Sequence, residues 1–305
     1  MPKRTVTIIL NTASGRRNGQ EKEEALRAAF RPMDVDVHFV RINEFDTIED
    51  ASRVALKDPD ATVVVSGGDG TICGASSVLL DADRPFGIIP SGTFNYFARS
   101  LNLPEDFEEA ARVIIEGQEQ PVSAAVINDR MFLNNASIGA YAAILQTREG
   151  VYKKWGRSRI AAYWSVIKAL ATFRAPLKLT VTMGGVTRKV RTSIIFAINN
   201  AFQLQQMGLD GEECIKQGKL VVLIAPDTSR MGLFKHAAAL AFGVAKPQTD
   251  YEMHCGDEID ITIGRRRRAV ARDGELERMK GPFKLRILDR PLKIIVPKGQ
   301  EAGIR

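Results

Sequence analysis

At 305 residues, 45% hydrophobic and 26% charged, the chain has room for two globular domains and the composition of neither a disordered nor a fibrous protein. Its formal charge of +7 favours anionic partners (phosphate ligands, acidic lipid surfaces, nucleic acid) without choosing among them. Cys73, Cys214 and Cys255 are far apart and form no CxxC. This argues against a disulfide framework and a zinc site, and for a reducing compartment. His38, His236 and His254 show no metal-ligand spacing, so no protein-held metal is expected. The apolar run after Met1-Pro2-Lys3-Arg4 ends at Leu10, short for a signal-peptide core, and no stretch approaches the ~20 apolar residues of a membrane span. The expectation is a cytoplasmic protein.

In chain order, Val6 to Leu10 reads as a strand that leaves through Asn11-Thr12-Ala13-Ser14-Gly15. Glu21 to Phe30 carries apolar residues at helical spacing, Val35 to Val40 alternates as a strand, and Ile48 to Leu56 reads as a helix. Val63-Val64-Val65 then makes a buried parallel strand, followed by Ser66-Gly67-Gly68-Asp69-Gly70-Thr71 and an apolar helix to Leu80. Strand, glycine loop and helix start aim backbone N–H groups and the positive end of a helix dipole at an anion. The loop has no Walker lysine. Its carboxylate, Asp69, suits Mg²⁺ or a hydrogen bond to sugar or loop amides. Phe86 to Ile89 is another short strand, ending in Pro90-Ser91-Gly92-Thr93, with Thr93 placed to cap a helix from Phe94 to Leu101. Three strands that end in small polar turns would gather at one carboxyl edge of a parallel sheet, where ligands bind. With a helix over Glu108–Glu116, residues 1–121 form an α/β domain.

The texture then changes. Asn128-Asp129 separates two apolar runs as a hairpin would, and Leu177–Met183 alternates up to Gly184-Gly185, with Val186–Ile198 beyond. Leu220–Ile224, Glu258–Ile263, Ala269–Ala271, Phe283–Leu288 and Leu292–Val296 are further strands, and only Arg157–Phe173 and Ser229–Val244 look helical. Residues 122–290 form a mostly-β domain. Asp273-Gly274-Glu275 reads in two ways: two carboxylates on one strand face, with Gly274 leaving room for close approach, or an Asp-Gly hairpin turn. The stretch Lys153-Lys154-Trp155-Gly156-Arg157-Ser158-Arg159 suits either an anionic lipid surface or a helix with a solvated basic face. Arg265-Arg266-Arg267-Arg268 is read as a turn or a phosphate and membrane contact, and no nucleic-acid motif accompanies it.

Together, Asn11–Gly15, Gly67-Gly68-Asp69-Gly70-Thr71, Pro90-Ser91-Gly92-Thr93-Phe94-Asn95-Tyr96-Phe97-Ala98-Arg99, Asn134-Asn135-Ala136-Ser137-Ile138-Gly139 and Asp273-Gly274-Glu275 resemble, in order, the motifs of the diacylglycerol kinase catalytic-domain family, in its bacterial lipid-kinase and sphingosine-kinase-like branch. The resemblance implies a nucleotide-binding α/β domain like that of NAD kinases, a β-sandwich lipid domain, and residues 291–305 returning to the first domain. It implies an ATP-dependent lipid kinase acting on a diacylglycerol-like or sphingoid hydroxyl, with ATP and Mg²⁺; the basic charge and the lack of a span add the expectation of peripheral contact with an anionic membrane. ATP would be held by Asn11, Ser14, Gly15, Gly67, Gly68, Asp69, Gly70, Thr71, Gly92, Thr93 and Asn95, and the catalytic carboxylates would be Asp273, Glu275 and Asp69. Two positions depart from the family: Tyr96 replaces an Asp, and Gln217 replaces the Asp that binds a structural Mg²⁺, which leaves that metal without its carboxylate. The alternatives are a NAD kinase-like enzyme and a nucleotide- or lipid-binding regulator without turnover.

Overall fold

The computed structural model describes residues 3–15, 18–155, 176–241, 246–247, 249–264 and 266–299. The chain divides into two compact units, Met1–Ala124 with Leu288–Arg305, and Ala125–Ile287.

In the first unit the strands are β1 (Arg4–Leu10), β2 (Val35–Arg41), β3 (Thr62–Gly67), β4 (Phe86–Pro90) and β5 (Gln118–Val122), joined from the far end of the chain by β18 (Leu292–Val296). They form one sheet in the order β2-β1-β3-β4-β18-β5, parallel except for β5 at the edge. The apolar runs Val6–Leu10 and Val63–Val65 are buried because helices cover both faces. On one face α1 (Gly19–Phe30) and α5 (Phe107–Glu116) cover Val6, Ile8, Leu10, Val64 and Ile89 with Leu26, Ala29, Phe30, Ala110, Ala111 and Ile114. On the other, α2 (Ile48–Ala55) packs on α3 (Asp69–Asp81). Helix α1 starts at a capping box in which Asn18 and Glu21 satisfy each other's backbone N–H groups.

The helix expected from Phe94 shortens to α4 (Tyr96–Ser100), and Thr93 does not cap it. Asn95 takes the N-cap position with φ +52°, a left-handed conformation that Asn tolerates, and the cap is supplied from another loop. The helix expected at Ile72 begins three residues earlier, at Asp69.

The second unit is a sandwich of two six-stranded sheets. One sheet has the order β10-β9-β14-β17-β6-β7, from β6 (Ala125–Ile127), β7 (Arg130–Phe132), β9 (Leu177–Met183), β10 (Val186–Thr192), β14 (Glu258–Thr262) and β17 (Phe283–Ile287). The other has the order β13-β12-β11-β8-β15-β16, from β8 (Asn135–Gly139), β11 (Ile194–Ile198), β12 (Leu220–Ile224), β13 (Glu252–Gly256), β15 (Arg267–Arg272) and β16 (Glu275–Lys280). Inward residues of both sheets share one core that includes Phe132, Ile138, Val181, Ile195, Val222, Ile261, Val270 and Phe283. Among its described residues the helices are α6 (Ala140–Trp155), α7 (Ala201–Gln206), α8 (Glu212–Lys216) and α9 (Arg230–Ala241). The helix expected over Arg157–Phe173 and Arg265 lie outside the described residues, as do the side chains of the basic stretch from Lys153 to Arg159. Arg267 and Arg268 belong to β15 and not to a turn.

One cysteine expectation is overturned. Cys214 and Cys255 form a disulfide across 41 residues, their Cα atoms 5.9 Å apart, and Cys73 is free and buried. Distance along the chain did not bound distance in space. Strand β13 returns antiparallel beside β12, and α8 runs directly into β12, so the two sulfurs meet.

Candidate functional site

Three loops leave the carboxyl ends of the adjacent parallel strands β1, β3 and β4, and they are knitted together by side chains. Asn11 donates its backbone N–H to Ser66 O (3.0 Å) and its side-chain amide to Thr71 Oγ1 (2.7 Å), while its Oδ1 accepts from Ala13 N (3.0 Å). Ser91 N donates to Gly67 O (2.9 Å), and the hydroxyls of Ser14 and Ser91 lie 3.0 Å apart. Asn95 Oδ1 accepts from Gly92 N (2.9 Å).

The glycines permit this closeness. A Cβ on Gly92 would lie 2.5 Å from Gly68 Cα, and one on Gly15, whose φ is +77°, would lie 2.4 Å from Ser91 O. A Cβ on Gly67 would strike the side chain of Thr71 at 2.4 Å. All eleven expected nucleotide-binding residues therefore gather at one sheet edge, with Thr93 exposed at the rim. A cavity of about 710 Å³ opens beside them, lined by Gly15, Ser91, Gly92, Thr93, Asn95 and Arg99 among others. Gly68 is the N-cap of α3 and no side chain caps that helix, so its first-turn N–H groups are oriented for an anion.

Asp69 acts on a neighbouring loop. Its carboxylate accepts from Tyr96 N (3.2 Å) and Phe97 N (2.9 Å) and thereby caps α4, five residues long, in trans. The negative charge lies at the positive end of that helix, where it is stabilising. The Tyr96 ring stacks on Phe94, with centroids 5.6 Å apart and planes 3° apart, and Phe94 is 57% exposed.

In the second unit the structure corrects the strand-face reading of Asp273 and Glu275. Asp273 (φ +46°) and Gly274 (φ +85°) are the two central residues of the β15–β16 hairpin turn, which Arg272 and Glu275 close as a pair. Two positive φ values in succession are what a type I′ turn requires. The Asp273 carboxylate accepts the backbone N–H groups of Leu133 (2.8 Å), Asn134 (2.8 Å) and Asn135 (3.0 Å). Glu275 is exposed at the start of β16, and its side chain makes no hydrogen bond or ion pair with another described residue.

Around that turn is a buried amide cluster that sequence reading missed. Asn200 donates to Asn134 Oδ1 (2.6 Å), Asn135 to Gln203 Oε1 (3.0 Å), and Asn199 to Leu133 O (3.3 Å). Only Asn134-Asn135 carried a signal; Asn199, Asn200 and Gln203 are ordinary residues in sequence. Lys22 was missed as well. It falls on the helical repeat of α1 yet is 1% exposed, its Nζ donating to Asn11 O (2.8 Å), Ser14 Oγ (2.9 Å) and Ser14 O. Burial pushes its pKa down. Gln217 is exposed, in contact with Glu213 and Lys219, and among the described residues no three acidic, His or Cys side chains group as metal ligands.

Residues 5–127 match the diacylglycerol kinase catalytic domain family. The chain is similar to the uncharacterized protein sll0036 of Synechocystis sp., 24% identical over 96% of this chain and 70% of that one. It is also similar to a diacylglycerol kinase of Staphylococcus carnosus, 41% identical over 95 residues, 30% of each chain, so less than a third of that relative's length is matched. In fold it resembles the crystal structure of a diacylglycerol kinase from Bacillus anthracis, with a TM-score of 0.69 over 97% of this chain and 98% of that one at 19% identity.

Proposed function

We propose that this chain, whose residues 5–127 belong to the diacylglycerol kinase catalytic-domain family, is an ATP-dependent lipid kinase that transfers the γ-phosphate to a hydroxyl of a diacylglycerol-like or sphingoid lipid. The observation that carries the reading is the knot of three glycine-containing loops at the ends of β1, β3 and β4, beside the uncapped start of α3. Phosphoryl transfer asks the protein mainly to position its reactants and neutralise charge. Backbone N–H groups at the α3 start and the Ser91 and Thr93 hydroxyls receive phosphate oxygens, with Ser14 orienting Ser91. Mg²⁺ bound with the triphosphate would supply charge neutralisation, and Asp69 is the one acidic side chain the knotted loops contribute towards holding it. Since Asp69 already accepts the amides of Tyr96 and Phe97, it holds the β4 loop against the β3 loop, and it would be the acidic group that faces the metal.

Of the two late carboxylates, Asp273 positions Leu133–Asn135, and Glu275 is the proton acceptor for the lipid hydroxyl. Contact with an anionic membrane surface is part of the same reading, supported by the charge of +7. The test is transfer of label from γ-labelled ATP to diacylglycerol, monoacylglycerol, ceramide, sphingosine and NAD, with wild type, Asp69→Ala and Glu275→Gln. The reading expects a labelled lipid, loss of about a hundredfold or more in kcat for each variant, and near-normal ATP affinity in Glu275→Gln. Labelled NAD, or no labelled lipid from a folded protein that binds ATP, would overturn it.

A further inference from the structure

Among the described residues Lys22 has no counter-ion. Lysine is almost never fully buried unless paired, yet this one is 1% exposed, and among the described ion pairs none includes it. Its three N–H donors meet three neutral oxygens, all on Asn11 and Ser14. The hydrogen bonds are satisfied; the charge is not cancelled. Burial alone lowers its pKa, which fits a site where no neighbouring acid favours the ammonium. An uncompensated charge in a poorly solvated place is costly unless an anion arrives to offset it.

Its location says which anion. Lys22 lines the cavity of about 710 Å³ together with Gly15, Ser91, Gly92, Thr93 and Arg99; Glu105, Asp106 and Glu108 line it too, and Glu105 is paired with Arg99. Because Ser14 Oγ accepts from Lys22, the Ser14 proton is directed to Asn11 O or Ser91 Oγ, both 3.0 Å away. The lysine thus sets the conformation of the first loop and the direction of the hydroxyl that links it to the third.

We propose that Lys22 is a positioning residue for a polyphosphate ligand. It clamps Asn11–Gly15 in its anion-receiving shape, and it supplies a fixed buried positive charge to the phosphate chain. This rests on the nucleotide reading of the three loops and adds a residue and a mechanism to it. A structural clamp alone would affect every ligand of the loops, whereas a buried charge discriminates by the number of phosphates.

The experiment is calorimetric titration of adenosine, ADP, ATP and pyrophosphate into wild type, Lys22→Met and Lys22→Gln, with thermal unfolding of each protein. Methionine keeps the apolar stem and loses charge and donors; glutamine, one bond shorter, loses the charge and one of the three donors and keeps two. Both variants are expected to weaken ATP binding by at least about tenfold, ADP by less, and adenosine by no more than about twofold. Equal weakening of adenosine and ATP would reduce Lys22 to a structural clamp, and unchanged ATP affinity in either folded variant would remove its role. Restoration of ATP affinity by glutamine alone would overturn the charge in favour of the hydrogen bonds. If Lys22→Met does not fold, Lys22→Gln decides by the same ratios. Failure of wild type to bind ATP, ADP or pyrophosphate would overturn the nucleotide reading and this proposal with it, an outcome distinct from wild-type binding that the variants leave unchanged.

Discussion

Gly92 and Gly68 show how little room the loops leave. A methyl group on Gly92 would press on Gly68 Cα at 2.5 Å and on Asn95 Oδ1 at 2.8 Å, backbone on one side and a hydrogen-bonded amide on the other. Gly92→Ala is therefore expected to push the β3 and β4 loops apart, cost about 1–3 kcal/mol in urea unfolding, and weaken ATP binding in calorimetry. Unchanged stability and affinity would mean that the loops are not held this closely. Asp273 makes a second residue-level case. Asp273→Asn keeps a side chain that tolerates positive φ, but its amide offers one acceptor oxygen where two now receive three backbone donors. We expect a loss of about 1–3 kcal/mol by urea unfolding, with Glu275→Gln within about 0.5 kcal/mol of wild type. Equal stability of Asp273→Asn and wild type would return Asp273 to the list of proton acceptors. The Asp-Gly pair was legible as a turn from its two residues. What it grips was not, because Leu133–Asn135 lies 138 to 140 positions away.

Among elements, the strands were most legible where one face is buried, because period-2 alternation survives any tertiary context. Leu177–Met183 begins and ends as read from sequence; Leu220–Ile224 does so as well, from a continuous apolar run buried at every position. Elements without such a pattern were missed. Gln118–Val122 contains a proline and runs at a sheet edge, and Glu252–Gly256 mixes Glu, His and Cys. The short α7 and α8 are too brief for a helical period to register. Thr93 failed as a cap because a distant carboxylate, Asp69, satisfies the same donors, an arrangement that local sequence cannot show. The disulfide is the element-level surprise with the clearest measurement. Closing a 41-residue loop in the unfolded chain is worth about 4 kcal/mol by chain entropy. Under denaturing, non-reducing conditions one thiol, that of Cys73, is expected to react, and three after reduction. Cys214→Ser with Cys255→Ser should unfold at lower urea than wild type by about 2–5 kcal/mol. Three reactive thiols before reduction would refute the bond.

For the molecule as a whole, composition gave the sign of the partner and no more. A formal charge of +7 says anion; the fold shows where some of that charge collects. No described helix is long and apolar enough to cross a membrane. On the β15–β16 hairpin, Arg267 lies opposite Lys280, and Ala269 opposite Arg278, so three exposed cations share one face of an edge pair. Like charges directly across a ladder are destabilising. Opposed to an anionic lipid surface, each would become favourable by about 1 kcal/mol, so the membrane contact proposed above is expected to rest on these three. Vesicles of neutral lipid with and without a third of anionic lipid provide the test, by cosedimentation across a salt series. Binding is expected only with anionic lipid, falling steeply between low and physiological salt as the screening length contracts to about 8 Å. Replacing Arg267, Arg278 and Lys280 by Glu should abolish that binding while leaving ATP affinity in place, since all three lie outside the β1, β3 and β4 loops. Equal binding to neutral and anionic vesicles would point to an apolar contact instead. Retention of binding by the triple variant would place the membrane-facing charge elsewhere on the surface.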